Sequence, residues 1–136
     1  MDQLFITAVP LKDAGDDRGS SFVIPDKWLD QLGGVRDTHI TTLRPGGIRG
    51  DHYHVARNEL LTILHTDSWS LHFDSGPETA ISRQDFQGAG AVLIVVPRHM
   101  SHAIRNDGGA DLTIIGMTDG VYDADNPDAY PRIVAR

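Results

Sequence analysis

An all-β domain of short strands joined by tight turns, with one short helix, is the architecture this sequence predicts. Three observations lead there. The charged residues are lopsided, with 17 Asp against 2 Glu and 10 Arg against 2 Lys; Glu and Lys favour helices, whereas Asp favours caps and turns. Fourteen Gly and seven Pro among 136 residues add chain breakers. Apolar residues come in short runs or in alternation: Trp69, Leu71 and Phe73 alternate with Ser70, His72 and Asp74, the period of a half-buried strand.

Residues 4–9 read as a first strand, stopped by Pro10, and an acidic, turn-rich loop follows over 12–19. A short extended run covers 20–24. Residues 25–34 make the one helix, with Pro and Asp at its start and two glycines at its end. Strands are expected over 39–43, 49–54, 60–65, 69–74, 91–96, 102–105 and 111–118, most of them bounded by Gly, Pro, Asp, Asn or Ser. Asp74-Ser75-Gly76-Pro77 forms a turn, and the tail 120–136 is expected to pack as an ordered loop or lid. With no internal repeat, low-complexity tract or linker, residues 1–136 read as a single domain. Seven to nine short strands and one helix imply a small sandwich or jelly-roll barrel.

Charge and composition exclude several functions. A net charge of −7 and a pI near 5.3 argue against nucleic-acid and anionic-membrane partners. Without cysteine there is no disulfide, thiolate nucleophile or Cys-ligated metal. The longest apolar run, residues 91–96, is too short to cross a bilayer, and the N-terminus lacks the pattern of a secretory signal, so a cytoplasmic protein is expected.

Two segments carry chemistry: residues 46–59 and residues 90–106. His52 and His54 lie two apart on an extended segment, so both leave the same face. Glu59 comes five residues beyond His54; a turn over 55–58 lets it return on the neighbouring antiparallel strand. A second hairpin element can deliver His102. Imidazoles plus one carboxylate suit one divalent transition metal (Fe, Mn, Ni, Co or Zn), with positions left open for water or substrate. A metal-free acid/base pocket and an inert arrangement are the other readings of the same residues.

The pattern Gly46-x5-His52-x-His54-x4-Glu59, followed by Pro97-x4-His102-x3-Asn106, closely resembles the paired motifs of the cupin superfamily. Asp17-Arg18-Gly19-Ser20 and Arg49-Gly50-x-His52 resemble its sugar-nucleotide branch of epimerases and ketoisomerases. The resemblance implies a single-domain cupin jelly-roll β-barrel, a homodimer, and a small-molecule substrate. Thr66 stands where the first motif usually ends in Gly, and His99 replaces the usual Gly after Pro97. Ketoisomerases of this kind usually lack the glutamate and work without metal, using the two histidines as acid and base; here Glu59 is present. The rhamnose epimerases use a downstream lysine, and this chain has none after Lys27.

Around the motifs, Arg49, Arg57 and Arg98 are candidates for binding an anionic substrate. His99 and His72 are the candidate catalytic proton carriers outside the ligand set. His39 and His65 read as structural, Asn106 as a turn residue bonding backbone, and Tyr53 as packing directed away from the histidines. Three functions compete: isomerase or epimerase chemistry on a small anionic substrate such as a keto-sugar nucleotide, an Fe(II)-dependent dioxygenase, and a non-catalytic small-ligand-binding module.

Overall fold

The computed structural model describes residues 5–135. Ten strands and one helix follow each other as β1 (Thr7–Pro10), α1 (Asp26–Leu32), β2 (Asp37–Leu43), β3 (Ile48–Tyr53), β4 (Glu59–His65), β5 (Trp69–Phe73), β6 (Ser82–Phe86), β7 (Gly90–Val96), β8 (His102–Asn106), β9 (Leu112–Thr118) and β10 (Tyr130–Pro131). They form two five-stranded antiparallel sheets, in the orders β1-β7-β4-β9-β2 and β10-β3-β8-β5-β6. The expected barrel is thus corrected to two facing sheets that do not close. β2 and β3 are consecutive, but the Pro45–Gly46 turn sends them to different sheets, leaving β2 as an edge. Such a pair of sheets with a shared apolar interior fits the jelly-roll pattern.

Alternation explains the core. Leu61 and Ile63 of β4, Val92, Ile94 and Val96 of β7, Leu112 and Ile114 of β9 and Leu43 of β2 meet Trp69, Leu71 and Ile104 from the opposite sheet. β4 and β7 are apolar on both faces because both are covered. On the outside, Trp28 and Leu32 of α1 bury Leu60, Leu93 and Val95. Gly33, in the left-handed region (φ 92°), ends this helix with its N–H on Leu29 O at 3.1 Å, as a glycine C-cap does.

Most expected strands are present with shifted ends, and Leu4 of the first lies outside the described residues. The run 20–24 forms only an isolated bridge from Phe22 to Asp13. β6 has no counterpart in the sequence reading: its side chains are largely exposed, and what it offers inward is Phe86, stacked on Trp69 at 4.2 Å. The tail is ordered as a strap. Tyr130 and Pro131 pair with Tyr53 and His52 of β3, and Val134 and Ala135 pack on Ala103. Among the described residues, no helix is long and apolar enough to cross a membrane.

Asn106 links the sheets as a backbone-bonding residue. Its buried side chain donates to Leu43 O at 2.9 Å and Ala110 O at 2.8 Å and accepts from Gly108 N at 3.0 Å. Asn106→Ala leaves these buried backbone groups unsatisfied and is expected to cost about 3 kcal/mol, read as a lower urea midpoint at unchanged slope.

Candidate metal centre

A β-bulge decides which way the histidines face. Arg49 of β3 pairs with Ile104 of β8, and Gly50 with Ala103, but His52 pairs with His102. Asp51 is the extra residue, at φ 55°. Simple alternation from Arg49 would turn Asp51 inward and His52 outward; the inserted residue resets the parity and turns His52 and His54 into the space between the sheets. Gly50 makes this possible. Its φ is 110°, and a Cβ there would lie 2.5 Å from His102 O and 2.9 Å from the Ala103 Cα. The Asp51 carboxylate points to the other side, accepting from Val134 N at 2.9 Å and Ala135 N at 3.0 Å.

Glu59 opens β4 after the 55–58 turn, beside Val96 and Thr118 on the adjoining strands. Asn58 steadies that turn, donating its backbone and side-chain N–H groups to Asp119 at 2.8 and 2.9 Å. His52, His54, Glu59 and His102 then converge, with one ligand atom of each within 4.8 Å of all the others. All but His52 are fully buried. The Glu59 Oε1 atom lies 2.7 Å from His54 Nε2 and 3.5 Å from His102 Nε2.

The donor atoms themselves test whether a metal ion fits. His54 Nδ1 sits 2.5 Å from the Asp128 carbonyl, which only accepts, so Nδ1 carries the proton and Nε2 presents a lone pair to Glu59. Nδ1 of His102, 3.0 Å from Met100 O, is oriented likewise. Both His54 Nε2 and Glu59 Oε1 are buried without a hydrogen-bond partner of proper geometry. Two buried acceptors in contact call for a cation between them, a proton or a metal ion, and carbonyl-oriented imidazoles are the usual support of metal ligands. The donor set fits.

Titration behaviour agrees. Burial acts to raise the Glu59 carboxyl, but the His102 and His54 imidazoles outweigh it and hold it well below its ordinary value. Burial acts to lower His54, yet Glu59 and the Asp128 carbonyl leave it raised. Burial, reinforced by His102 and His54, pushes His52 down to about 4, leaving one ring nitrogen with a free lone pair at neutral pH.

A cavity of about 400 Å³ opens over the cluster, walled by Arg49 and Arg57, by His39 and Thr41 of β2, and by Ile104 and Ile114. Arg57 Nε is buried there without a partner. Arg98, in contrast, is exposed, 3.7 Å from Asp119, and does not line this cavity. His99 is exposed too; its backbone N–H donates to His54 O at 2.6 Å. His72 pairs with Ala103 on the outer face of its sheet, where Nε2 meets Ser70 Oγ at 2.8 Å. Neither histidine reaches the cavity wall. His39 does, and its inward alternation with Thr41 and Leu43 was the available signal. Asp128 had none, being one of three tail aspartates.

Gly50→Ala is expected to destabilise the fold by about 2–4 kcal/mol, because β3 must withdraw from β8. Denaturant unfolding of the metal-free protein measures it.

A family model described as the polysaccharide biosynthesis C-terminal domain matches residues 15–130. No curated protein sequence matches the chain. Among solved structures, the capsular polysaccharide assembling protein CapF from Staphylococcus aureus is similar, with TM-score 0.66 and 23% identity over 92% of this chain and 33% of that one. This chain therefore spans about a third of the length of CapF. The QdtA sugar 3,4-ketoisomerase from Thermoanaerobacterium thermosaccharolyticum, in complex with TDP, gives TM-score 0.68 at 17% identity, covering 91% of this chain and 85% of that one. A 3,4-ketoisomerase from Helicobacter canadensis gives 0.69 at 14%, covering 93% and 90%. At such identities the likeness is one of fold. With the family model spanning most of its length, the chain belongs to the polysaccharide biosynthesis C-terminal domain family, built on the cupin fold.

Proposed function

We propose that the chain is an isomerase- or epimerase-type enzyme acting on a keto-sugar nucleotide, with one divalent transition metal held by His52, His54, Glu59 and His102. The observation that carries this reading is the buried three-imidazole, one-carboxylate cluster at the floor of a cavity flanked by two arginines. Family membership in polysaccharide biosynthesis supports it, as do fold neighbours that are 3,4-ketoisomerases.

The chain's own residues divide the chemistry. Arg49 and Arg57 bind the anionic part of the substrate; the unpartnered Arg57 Nε has a donor to offer. A bound metal would polarise the substrate carbonyl. His39, on the cavity wall, takes the proton from the carbon beside the carbonyl. The C–H electron pair moves into an enediolate, and His39 returns the proton to a carbon of that pair. His39 holds this role in preference to His99 and His72 because it faces the cavity. Ile104 and Ile114 exclude water from the reacting carbons. We further propose a homodimer, supported by the unpaired edge of β2, where Ile40 is 72% exposed.

Elemental analysis of the untagged protein is expected to find about one metal per chain, lost in the His52→Ala/His54→Ala double variant. Incubation with a dTDP-4-keto sugar in deuterated buffer is expected to place deuterium beside the carbonyl. Absence of exchange in metal-loaded protein sinks the isomerase reading, and oxygen uptake by the Fe(II) form would point to dioxygenase chemistry instead. Arg57→Ala is expected to raise KM about 10–100-fold, by removing a charge-assisted contact of about 1.5–3 kcal/mol, as steady-state kinetics would show.

A further inference from the structure

We propose that Asp128 is the positioning residue of the metal centre, holding His54 in the tautomer that aims Nε2 at the cluster and fixing the turn that brings Glu59 back. The proposal rests on the metal-centre reading for its affinity test, though not for its structural one.

Three contacts converge on this one residue, 74 positions from His54 in the chain. Its carbonyl receives His54 Nδ1 at 2.5 Å. Its carboxylate spans the start of the following turn, Oδ1 accepting from Val55 N and Oδ2 from Ala56 N, each at 3.0 Å. Its backbone sits in the left-handed region at φ 49°, where Asn and Asp are far more at home than Ala.

These contacts make a closed lever. The carboxylate is anchored on the two amides just beyond His54, and the anchor presses the carbonyl of the same residue onto the imidazole. With Nδ1 committed as a donor, Nε2 keeps its lone pair toward Glu59 and His102. The same anchor clamps the turn that begins at Val55, on whose far side Glu59 enters β4. Farther along the strap, Tyr130 and Pro131 pair with Tyr53 and His52, and the amides of Val134 and Ala135 cap Asp51 at the bulge. The strap thus grips the end of β3 and the residues just beyond it, the stretch that carries both histidines, and Asp128 touches a ligand ring and the ligand-bearing turn together.

The test compares Asp128→Ala, Asp128→Gly and Asp128→Asn with the parent chain. Imidazole 15N NMR of metal-free protein, at a pH high enough for His54 to be neutral, reads its tautomer, and chelator competition reads Co(II) affinity. Removing the carboxylate, with Ala or Gly, is expected to give mixed His54 tautomers and to weaken Co(II) binding 10–100-fold, the range for lost outer-shell support. Asn, which tolerates the left-handed backbone and can accept from a turn amide, is expected to restore a single tautomer and most of the affinity. Glycine carries the test should the alanine variant not fold, since it relieves the backbone strain while still lacking the anchor. Carboxylate-free variants that keep the parent tautomer and affinity overturn the proposal, and so does an asparagine variant as impaired as alanine. Should the parent chain bind no metal, the proposed function falls, while the tautomer comparison still decides the role of Asp128.

Discussion

The ionised carboxylate of Glu59 is the constraint around which the rest of the structure is arranged. It is 4% exposed and heads a strand whose next residues, Leu60, Leu61 and Ile63, are core. A lone carboxylate in such a place costs several kcal/mol in lost hydration. Partners must therefore come from other strands, and they must present nitrogen at the right point. His102 does so from the first position of β8; His54 does so only because β3 carries an extra residue. The bulge in turn requires a glycine that can approach the carbonyl of His102, and an outlet for the side chain of Asp51. Gly50, Asp51 and Asp128 are local oddities that together serve to make that buried charge tolerable.

The centre also depends on contacts far apart in the sequence. His54 meets Asp128, Asp51 meets Val134 and Ala135, and Asn58 meets Asp119. Pairings of such separation form late, after the entropy of closing long loops has been met. The strap that supplies several of them has few apolar anchors, chiefly Val134 and Ala135 on Ala103. Local opening is thus more accessible at the strap than in the apolar strands β4 and β7, and it would loosen the histidines before the core. Under the metal reading proposed above, metal affinity would be coupled to the order of the C-terminal strap for that reason.

Much of this was legible from residue spacing. The i, i+2 relation of His52 and His54 is a backbone property, so their common face follows from an extended segment whatever surrounds it. Glu59 was legible because five residues at a turn return the chain to the adjacent strand. The face itself was not legible: parity counted from Arg49 turns His52 outward, and only the three-dimensional pairing with His102 reveals the extra residue. β6 was hidden because an edge strand with exposed side chains needs no hydrophobic alternation. His72 was visible as a titratable residue near the motifs, but strand alternation alone does not say which face of a sheet meets the partner sheet. Arg57 was legible with Arg49 and Arg98 as an arginine beside the motifs, whereas His39 read as structural until the cavity gathered it with Arg49 and Arg57.

That gathering resolves an apparent conflict between a chain of net charge −7 and the anionic substrate proposed for it. Exposed acidic groups farther than about 8 Å are largely screened at physiological salt, whereas arginines on the wall of a cavity act on its occupant at short range. Arg57 also bears on the cluster itself. After burial and the larger effects of neighbouring histidines, its charge still lowers the proton affinity of His52, and it acts in the same direction on His54, against the pull of Glu59. A fixed cation at this place thus disfavours added positive charge on the cluster, proton or metal ion alike, unless an anion offsets it. With a metal ion added, Arg57 and the centre would together leave the cavity more positive than Glu59 can offset, and an anionic ligand is what such a cavity selects.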